Sequence, residues 1–376
     1  MSTGPTIMII AGEDSADQYG AKLVEALTTL HPGATFYGIG GDKMQKVGVE
    51  LLFTTADTSI MGFAEVAKNY GFIRRMFKTC ERELISRQPS LVILMDYPGF
   101  NLRFAKTVKA NGIPVLYYIA PQVWAWGKNR AAKMKGLIDR LAVAFPFEEK
   151  IFEDVGIPTT FVGHPLLDVL KQSERTAFLK EFDLPEKDII ALFPGSRKQE
   201  VERMLMPMAE AADRVAAANG CTVAIGASQV PDALFESVRT RFPEMKILRN
   251  ATHRLMEHAK AAVVKSGTST VETAYYKTPM VVCYLASRLN YMIGKRLINV
   301  ENIGMVNILA GTQIVPELVQ DDFTVDNIVR KLGRYFEDAP YYDATVGKLA
   351  GIRREMGTPG TAERVAELAS SFLASG

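Results

Sequence analysis

Leu91-Val-Ile-Leu-Met-Asp96-Tyr-Pro-Gly-Phe-Asn101 is the stretch on which the reading of this chain turns. Five apolar residues run straight into a carboxylate, and Pro98 follows two residues later. An unbroken apolar run of this length marks a strand buried on both faces, as in a parallel sheet. Open α/β sheets bind ligands beyond the carboxyl ends of their strands, and Asp96 stands at such an end. A carboxylate desolvated on its sheet side and reachable from the other suits a general base. The plainer alternative is a helix N-cap. For Asn101 the cap is the better reading. For Asp96, base and cap weigh equally on this segment alone.

Similar runs recur outward in both directions. In the first half they are 7–11, 35–39, 91–95, 115–119, 141–144 and 160–162; in the second, 189–193, 222–225, 246–248, 261–264 and 280–284. They alternate with segments of helical period, which predicts an α/β protein of two doubly wound parallel sheets. A chain of 376 residues exceeds one ordinary core. The boundary is expected at Val162-Gly-His-Pro-Leu166, where a strand ends and Pro165 keeps His164 out of a helix. The expected domains are residues 1–164, residues 165–345 and a helical segment over 346–376. Gly357-Thr-Pro-Gly360 isolates a last helix at 361–374. That helix either packs back on the first domain or docks onto a second copy in a homodimer.

Bulk composition excludes several classes. A net charge of +2 carries no polyanion-binding signature, so nucleic acid is not expected as a partner. Cys80, Cys221 and Cys283 are widely spaced and read as reduced thiols of a cytoplasmic protein. Four histidines form no zinc pattern. No apolar run reaches the roughly 18 residues that span a bilayer, and the amino terminus lacks the marks of a signal peptide.

Four further loops can carry chemistry. Gly12-Glu-Asp-Ser-Ala-Asp17 follows the first strand and opens a helix. Its three carboxylates argue against diphosphate and for hydroxyl-rich substrate contacts, through Glu13 and Ser15, or for capping. It lacks the glycine spacing of a nicotinamide site. Phe193-Pro-Gly-Ser-Arg197 holds the same place in the second half. Gly195 and Ser196 offer backbone N–H groups and Arg197 a fork that matches phosphate oxygens; otherwise this is a capped turn with a surface arginine. Lys265-Ser-Gly-Thr-Ser-Thr-Val-Glu272 follows another strand, with Ser266, Gly267 and Thr268 opening a helix. Glu272 suits a ribose diol; the bland alternative is a Ser/Thr cap with Glu272 completing a capping box. Ala120-Pro-Gln-Val-Trp-Ala-Trp126 carries Trp124 and Trp126, at even odds a pocket wall or core. Between these loops, Met61–Lys78 mixes large apolar residues with four cations, as in a helix lying on a membrane surface or packed on a sheet. With no clustered metal ligands, a nucleotide-diphosphate donor has its charge met by Arg197 and helix ends, and no metal or cofactor is expected.

Taken in order, Asp96-Tyr-Pro-Gly-Phe-Asn101, Pro121-Gln-Val-Trp-Ala-Trp126, Phe145-Pro-Phe-Glu148, Val162-Gly-His-Pro-Leu166, Pro194-Gly-Ser-Arg197, Ser266-Gly-Thr268 and Asn307-Ile-Leu-Ala-Gly311 resemble the lipid-A-disaccharide synthase family. The likeness runs from Gly12 to about Gln320. It implies two Rossmann-like domains facing across a cleft, the GT-B architecture, with acceptor in the first and UDP donor in the second. It implies inverting transfer of 2,3-diacylglucosamine from its UDP donor to 2,3-diacylglucosamine 1-phosphate (lipid X), forming a β-1,6 bond. On this likeness Asp96 is the base, Arg197 and the Ser266-Gly-Thr helix meet the departing UDP, and Asn307 and Gln320 contact the donor. His164 is a hinge residue or a donor contact. The protein would sit peripherally on the inner face of a Gram-negative-type inner membrane. Ala16, Gly99 and Lys265 depart from the family pattern. An epimerase acting on UDP-N-acetylglucosamine, a transferase with a non-lipid acceptor, and a non-catalytic lipid-surface protein are the competing readings.

Overall fold

The computed structural model describes residues 4–58, 70–121, 123, 129–227, 230–286 and 302–373. Its contacts divide the chain into two compact units, Met1–Val169 with Met356–Gly376, and Leu170–Glu355.

The first unit is built on a seven-stranded sheet: β1 (Thr6–Ala11), β2 (Thr35–Gly40), β3 (Val49–Thr54), β4 (Leu91–Met95), β5 (Val115–Tyr118), β6 (Arg140–Val143) and β7 (Thr159–Phe161). All pairings are parallel, in the order β3-β2-β1-β4-β5-β6-β7. Helices α1 (Asp14–Leu30), α2 (Tyr70–Arg87) and α3 (Pro98–Ala110) flank it. The unbroken apolar run of β4 has a direct cause. Val92 and Leu94 join a core with Met76, Cys80 and Leu84 of α2 and Phe104 of α3. Leu91, Ile93 and Met95 join the opposite core with Leu23, Val24 and Leu27 of α1. Each such fully buried side chain contributes about 1.5–3 kcal/mol relative to exposure. Strand order reverses between β1 and β4, and their last register pair is Ala11 with Met95. Gly12-Glu13 and Asp96 therefore leave the sheet side by side.

The second unit repeats this plan with β8 (Ile189–Phe193), β9 (Thr222–Ala227), β10 (Lys246–Arg249), β11 (Ala261–Lys265), β12 (Met280–Tyr284) and β13 (Glu317–Val319), in the order β10-β9-β8-β11-β12-β13. Helices α4 (Lys198–Asn219), α5 (Thr268–Tyr275) and α6 (Ala339–Glu355) belong to it. Here the order reverses between β8 and β11, where Phe193 pairs with Val264. The turn at Pro194 and the side chain of Lys265 thus emerge together.

The final helix, α7 (Thr361–Leu373), packs on α1 in the first unit. Asp168 caps it from a distance in sequence, accepting N–H bonds from Gly360 at 2.7 Å, Thr361 at 3.1 Å and Ala362 at 2.7 Å. Arg364 adds donors to the carbonyls of Val162, Pro359 and Thr358.

Three expectations are corrected. The unit boundary lies at Val169/Leu170 rather than 164/165, because the turn Pro165–Asp168 is held against α1 and α7. Residues 346–355 are part of α6 in the second unit, and the return begins only at Met356. Strands β3 and β13 were not expected; both are sheet edges, part-exposed along most of their length, so neither shows a buried apolar run.

Candidate active site

The β4–α3 connection is strained. Asp96 has φ +46° and Tyr97 φ +45°, two consecutive left-handed residues that are not glycine. Each such residue costs about 1–2 kcal/mol and persists only where the surroundings enforce it. The enforcement is visible. Asn101 Nδ2 donates to Met95 O at 3.1 Å and to Asp96 O at 2.8 Å. The Tyr117 hydroxyl also donates to Asp96 O. The Tyr97 ring stacks on Phe100 with centroids 5.7 Å apart. Gly12 is needed beside it, since a Cβ there would lie 2.4 Å from Tyr97 Cγ.

This turn leaves the Asp96 side chain densely surrounded yet part-exposed at the strand end. Burial pushes its carboxyl up to about 7, the nearby Glu13 carboxylate adds to the rise, and a backbone N–H bond from Tyr97 opposes it. Glu13 is exposed and Ser15 half-buried. Tyr97, not Asp96 or Asn101, occupies the N-cap of α3, and no side chain caps that helix. The cap reading of Asn101 is therefore corrected: it is fully buried and brackets the turn beneath Asp96. Among the carboxylates of the first loop, Asp17 is also internal, accepting N–H bonds from Gly41, Lys43 and Met44.

In the second unit, Gly195 has φ +117° and opens the turn before α4. Glu200 Oε2 accepts N–H bonds from Ser196 at 3.3 Å and Arg197 at 3.4 Å. The Arg197 guanidinium stays largely exposed, 3.9 Å from Glu200 Oε1. Glu200, the first acid after this turn, thus folds back onto it. At the neighbouring strand end Gly267 is the N-cap of α5, without a side-chain cap. Thr268 is the first helical residue, and Glu272 stands outside any capping box, its carboxylate mostly buried and 3.6 Å from His253 Nε2.

Three expected donor contacts belong to the scaffold. Asn307 is fully buried, and its amide is saturated: Nδ2 donates to Val315 O and Glu317 Oε1, while Oδ1 accepts from Ile314 N and Val315 N. A carboxamide offers two donors and two acceptor positions, so nothing is left for a ligand. Gln320 is paired through both amide atoms with the backbone of Ala286. Ser266 Oγ donates to Ile303 O, and Glu317 holds the N–H groups of Ile303 and Gly304. These residues shape the strand ends that carry Thr268 and Glu272. His164 packs as well: its buried ring lies against Phe145, Nδ1 accepts from Leu166 N, and burial pulls it down to about 4. Trp124, Trp126 and residues 61–69 lie outside the described residues. Sequence reasoning did not assign parts to Tyr117, Glu200 or Glu317; Tyr117 and Glu317 bond to partners 21 and 10 to 14 residues away, which no local pattern joins, whereas Glu200 at three residues from Arg197 is a capping-box position that could have been read.

Comparison with known proteins bears on this arrangement. Residues 7–347 match the family model described as lipid-A-disaccharide synthetase. The lipid-A-disaccharide synthase of Syntrophus aciditrophicus is 41% identical over 374 residues, covering 98% of this chain and 97% of that protein. That of Geobacter sulfurreducens is 38% identical over 377 residues, covering 99% and 98%. Among solved structures, the S. aureus MnaA–UDP co-structure superposes with a TM-score of 0.68 at 10% identity, covering 98% of this chain and 97% of that one. At that identity the likeness is one of fold.

Proposed function

The chain belongs to the lipid-A-disaccharide synthase family of glycosyltransferases, and from this premise we propose that it moves 2,3-diacylglucosamine from UDP-2,3-diacylglucosamine to the 6-hydroxyl of 2,3-diacylglucosamine 1-phosphate. The observation that carries the reading is Asp96: a carboxylate on an enforced left-handed turn, at the reversal of strand order, lifted to about 7 by burial. Such a value favours proton uptake near neutral pH. In the reaction the acceptor O–H proton passes to Asp96 as that oxygen bonds to the anomeric carbon. The bond from that carbon to the β-phosphate oxygen breaks, and UDP departs with the electron pair. One displacement inverts the anomeric centre and yields the β-1,6 disaccharide.

In this proposal the first unit holds the acceptor, with Glu13 and Ser15 beside Asp96, and the second holds the UDP-sugar. Arg197 and the N–H groups of Gly195 and Ser196 meet the diphosphate, where charge develops; Thr268 opens the adjoining helix and Glu272 takes the ribose. The acyl chains of both substrates come from a bilayer surface. Among the described residues no helix is long and apolar enough to cross a membrane, and we assign the protein a peripheral place on the inner face of the inner membrane. Support comes from α2, where Arg74, Arg75, Lys78 and Arg82 with Gly71 and Thr79 line an open basic hollow of about 410 Å³. Arg82 is paired with Glu83 at 3.1 Å, and the cluster of four cations around this hollow suits anionic headgroups. Mass spectrometry of the product from the two lipids, with Asp96→Asn and Arg197→Ala alongside, tests the assignment. A disaccharide 1-phosphate and UDP are expected from the parent chain. Near-parental kcat in Asp96→Asn would falsify the base assignment.

A further inference from the structure

One cation at the second reversal of strand order has no part in the mechanism above. Lys265 closes β11 immediately before Ser266, its side chain 21% exposed. Its Nζ crosses from β11 to the turn after β8 and lies 2.9 Å from Glu200 Oε1. Glu200 is the centre of that turn. Besides Lys265 it has the Arg197 guanidinium at 3.9 Å and the N–H groups of Ser196 and Arg197 at 3.3 and 3.4 Å. A Cβ on Gly195 would stand 2.5 Å from Glu200 Oε2, so the carboxylate lies directly on the backbone of the turn. An anionic group thus already sits among two cations and two amide donors, and its two amide bonds are at the long end of the useful range. The side chain of Tyr284, which closes β12, feels both Glu200 and Arg197.

We propose that Lys265 is a second cation for the departing diphosphate, parked on Glu200 until the donor enters. The proposal rests on the second unit being the UDP-sugar site. Phosphate oxygens are multiple and strongly accepting, and they out-compete one carboxylate for a lysine that can turn between them. Lys265 makes no covalent bond; its N–H bond moves from a carboxylate oxygen to a phosphate oxygen. Glu200 then retains its bond to Arg197 N, the back-reaching half of a capping box. Arg197 and Lys265 together face the charge that grows on the β-phosphate as the sugar leaves. A purely structural ion pair makes a different prediction. It ties β11 to the turn before α4, so loss of either partner loosens the same site in the same direction. A parked cation predicts opposite signs: loss of Lys265 weakens diphosphate binding, and loss of the Glu200 charge strengthens it.

The test is calorimetric titration of the full chain with UDP and, separately, uridine, using Lys265→Met, Lys265→Arg and Glu200→Gln, after thermal melts show that each is folded. Glutamine preserves the cap, since it also accepts from a backbone N–H. Lys265→Met is expected to raise the Kd of UDP about tenfold, the scale of one charged hydrogen bond, and leave uridine unchanged. Lys265→Arg restores most of the loss, and Glu200→Gln lowers the Kd of UDP about threefold. In turnover, Lys265→Met lowers kcat as well as raising KM for the donor. Parental UDP affinity in Lys265→Met overturns the proposal, as does parallel weakening of UDP and uridine in both Lys265→Met and Glu200→Gln. If the parent chain binds no UDP, the donor-site reading itself fails, and this inference falls with it.

Discussion

The position of Asp96 makes a quantitative demand on the pH dependence of the reaction. A carboxyl held up to about 7 is roughly 9% ionised at pH 6, 50% at pH 7 and 90% at pH 8, whereas an ordinary carboxylate is almost fully ionised at all three. If Asp96 takes the acceptor proton in its ionised form, kcat/KM climbs about tenfold between pH 6 and pH 8, with unit slope in the logarithm below about pH 6. The limb belongs to Asp96, whose ionisation the nearby Glu13 carboxylate opposes. Burial is the larger cause and Glu13 the smaller, so Glu13→Gln moves the limb down in pH while leaving it well above the ordinary carboxylate range. Asp96→Asn lowers kcat by about 10²–10⁴. The assay is initial-rate UDP release from pH 5.5 to 9 at sub-saturating acceptor, with added viscogen to show that encounter is not limiting. Calorimetric UDP binding over the same range removes ionisation of the donor as a cause. A flat profile between pH 6 and 8 in a viscosity-independent reaction would refute the argument, and so would an identical limb in Glu13→Gln.

Four other outcomes follow from the geometry. Because the Asp96 carboxyl is raised in the folded state, its protonation stabilises the fold; that stabilisation is complete below about pH 4 and is lost as pH climbs through about 7. The unfolding free energy of Asp96→Asn, from urea melts, should therefore exceed the parent's by a margin that widens from pH 4 to 7 and is constant above, with a ceiling on the order of 4 kcal/mol. Asn307→Ala leaves the amides of Ile314 and Val315 and the Glu317 carboxylate short of partners, and about 2–4 kcal/mol of stability should be lost in urea unfolding of the second unit. In Gly195→Ala the new Cβ meets Glu200 at 2.5 Å on a backbone of φ +117°; UDP titration should show weaker binding, and urea unfolding a stability lowered by about 1–3 kcal/mol of strain. Asp168→Ala removes three N–H acceptances from the start of α7, and limited proteolysis should cut the C-terminal helix at least ten times faster.

The strands at the centre of both sheets were legible because burial on two faces demands continuous apolar residues, as at Leu91–Met95 and Ile189–Phe193. At the sheet edges the demand is weaker and the trace uneven: β7 and β10 were legible, β3 and β13 were not. Among the site residues, position at a strand end was legible for Asp96, Glu13, Gly195, Arg197 and Thr268. The duties of Asn101, Asn307, Gln320 and Ser266 were not, since a polar side chain after a strand looks the same whether it faces a ligand or saturates buried backbone.

The order of apolar runs and their punctuation by Gly, Pro and polar loops determined an α/β chain of two parallel sheets, because one-dimensional hydrophobic pattern is the direct imprint of burial on both faces of a strand. Which loops become neighbours was decided only by tertiary structure. Strand order reverses between β1 and β4 and between β8 and β11. Those reversals bring Glu13 beside Asp96 and Lys265 onto Glu200, residues 83 and 65 positions apart in the chain. The left-handed turn that presents Asp96 is likewise a tertiary product: neither Asp96 nor Tyr97 favours that conformation alone, and it is the Asn101 and Tyr117 bonds to the Asp96 carbonyl that hold it. Charge and burial act through distance in space, and sequence separation does not encode that distance.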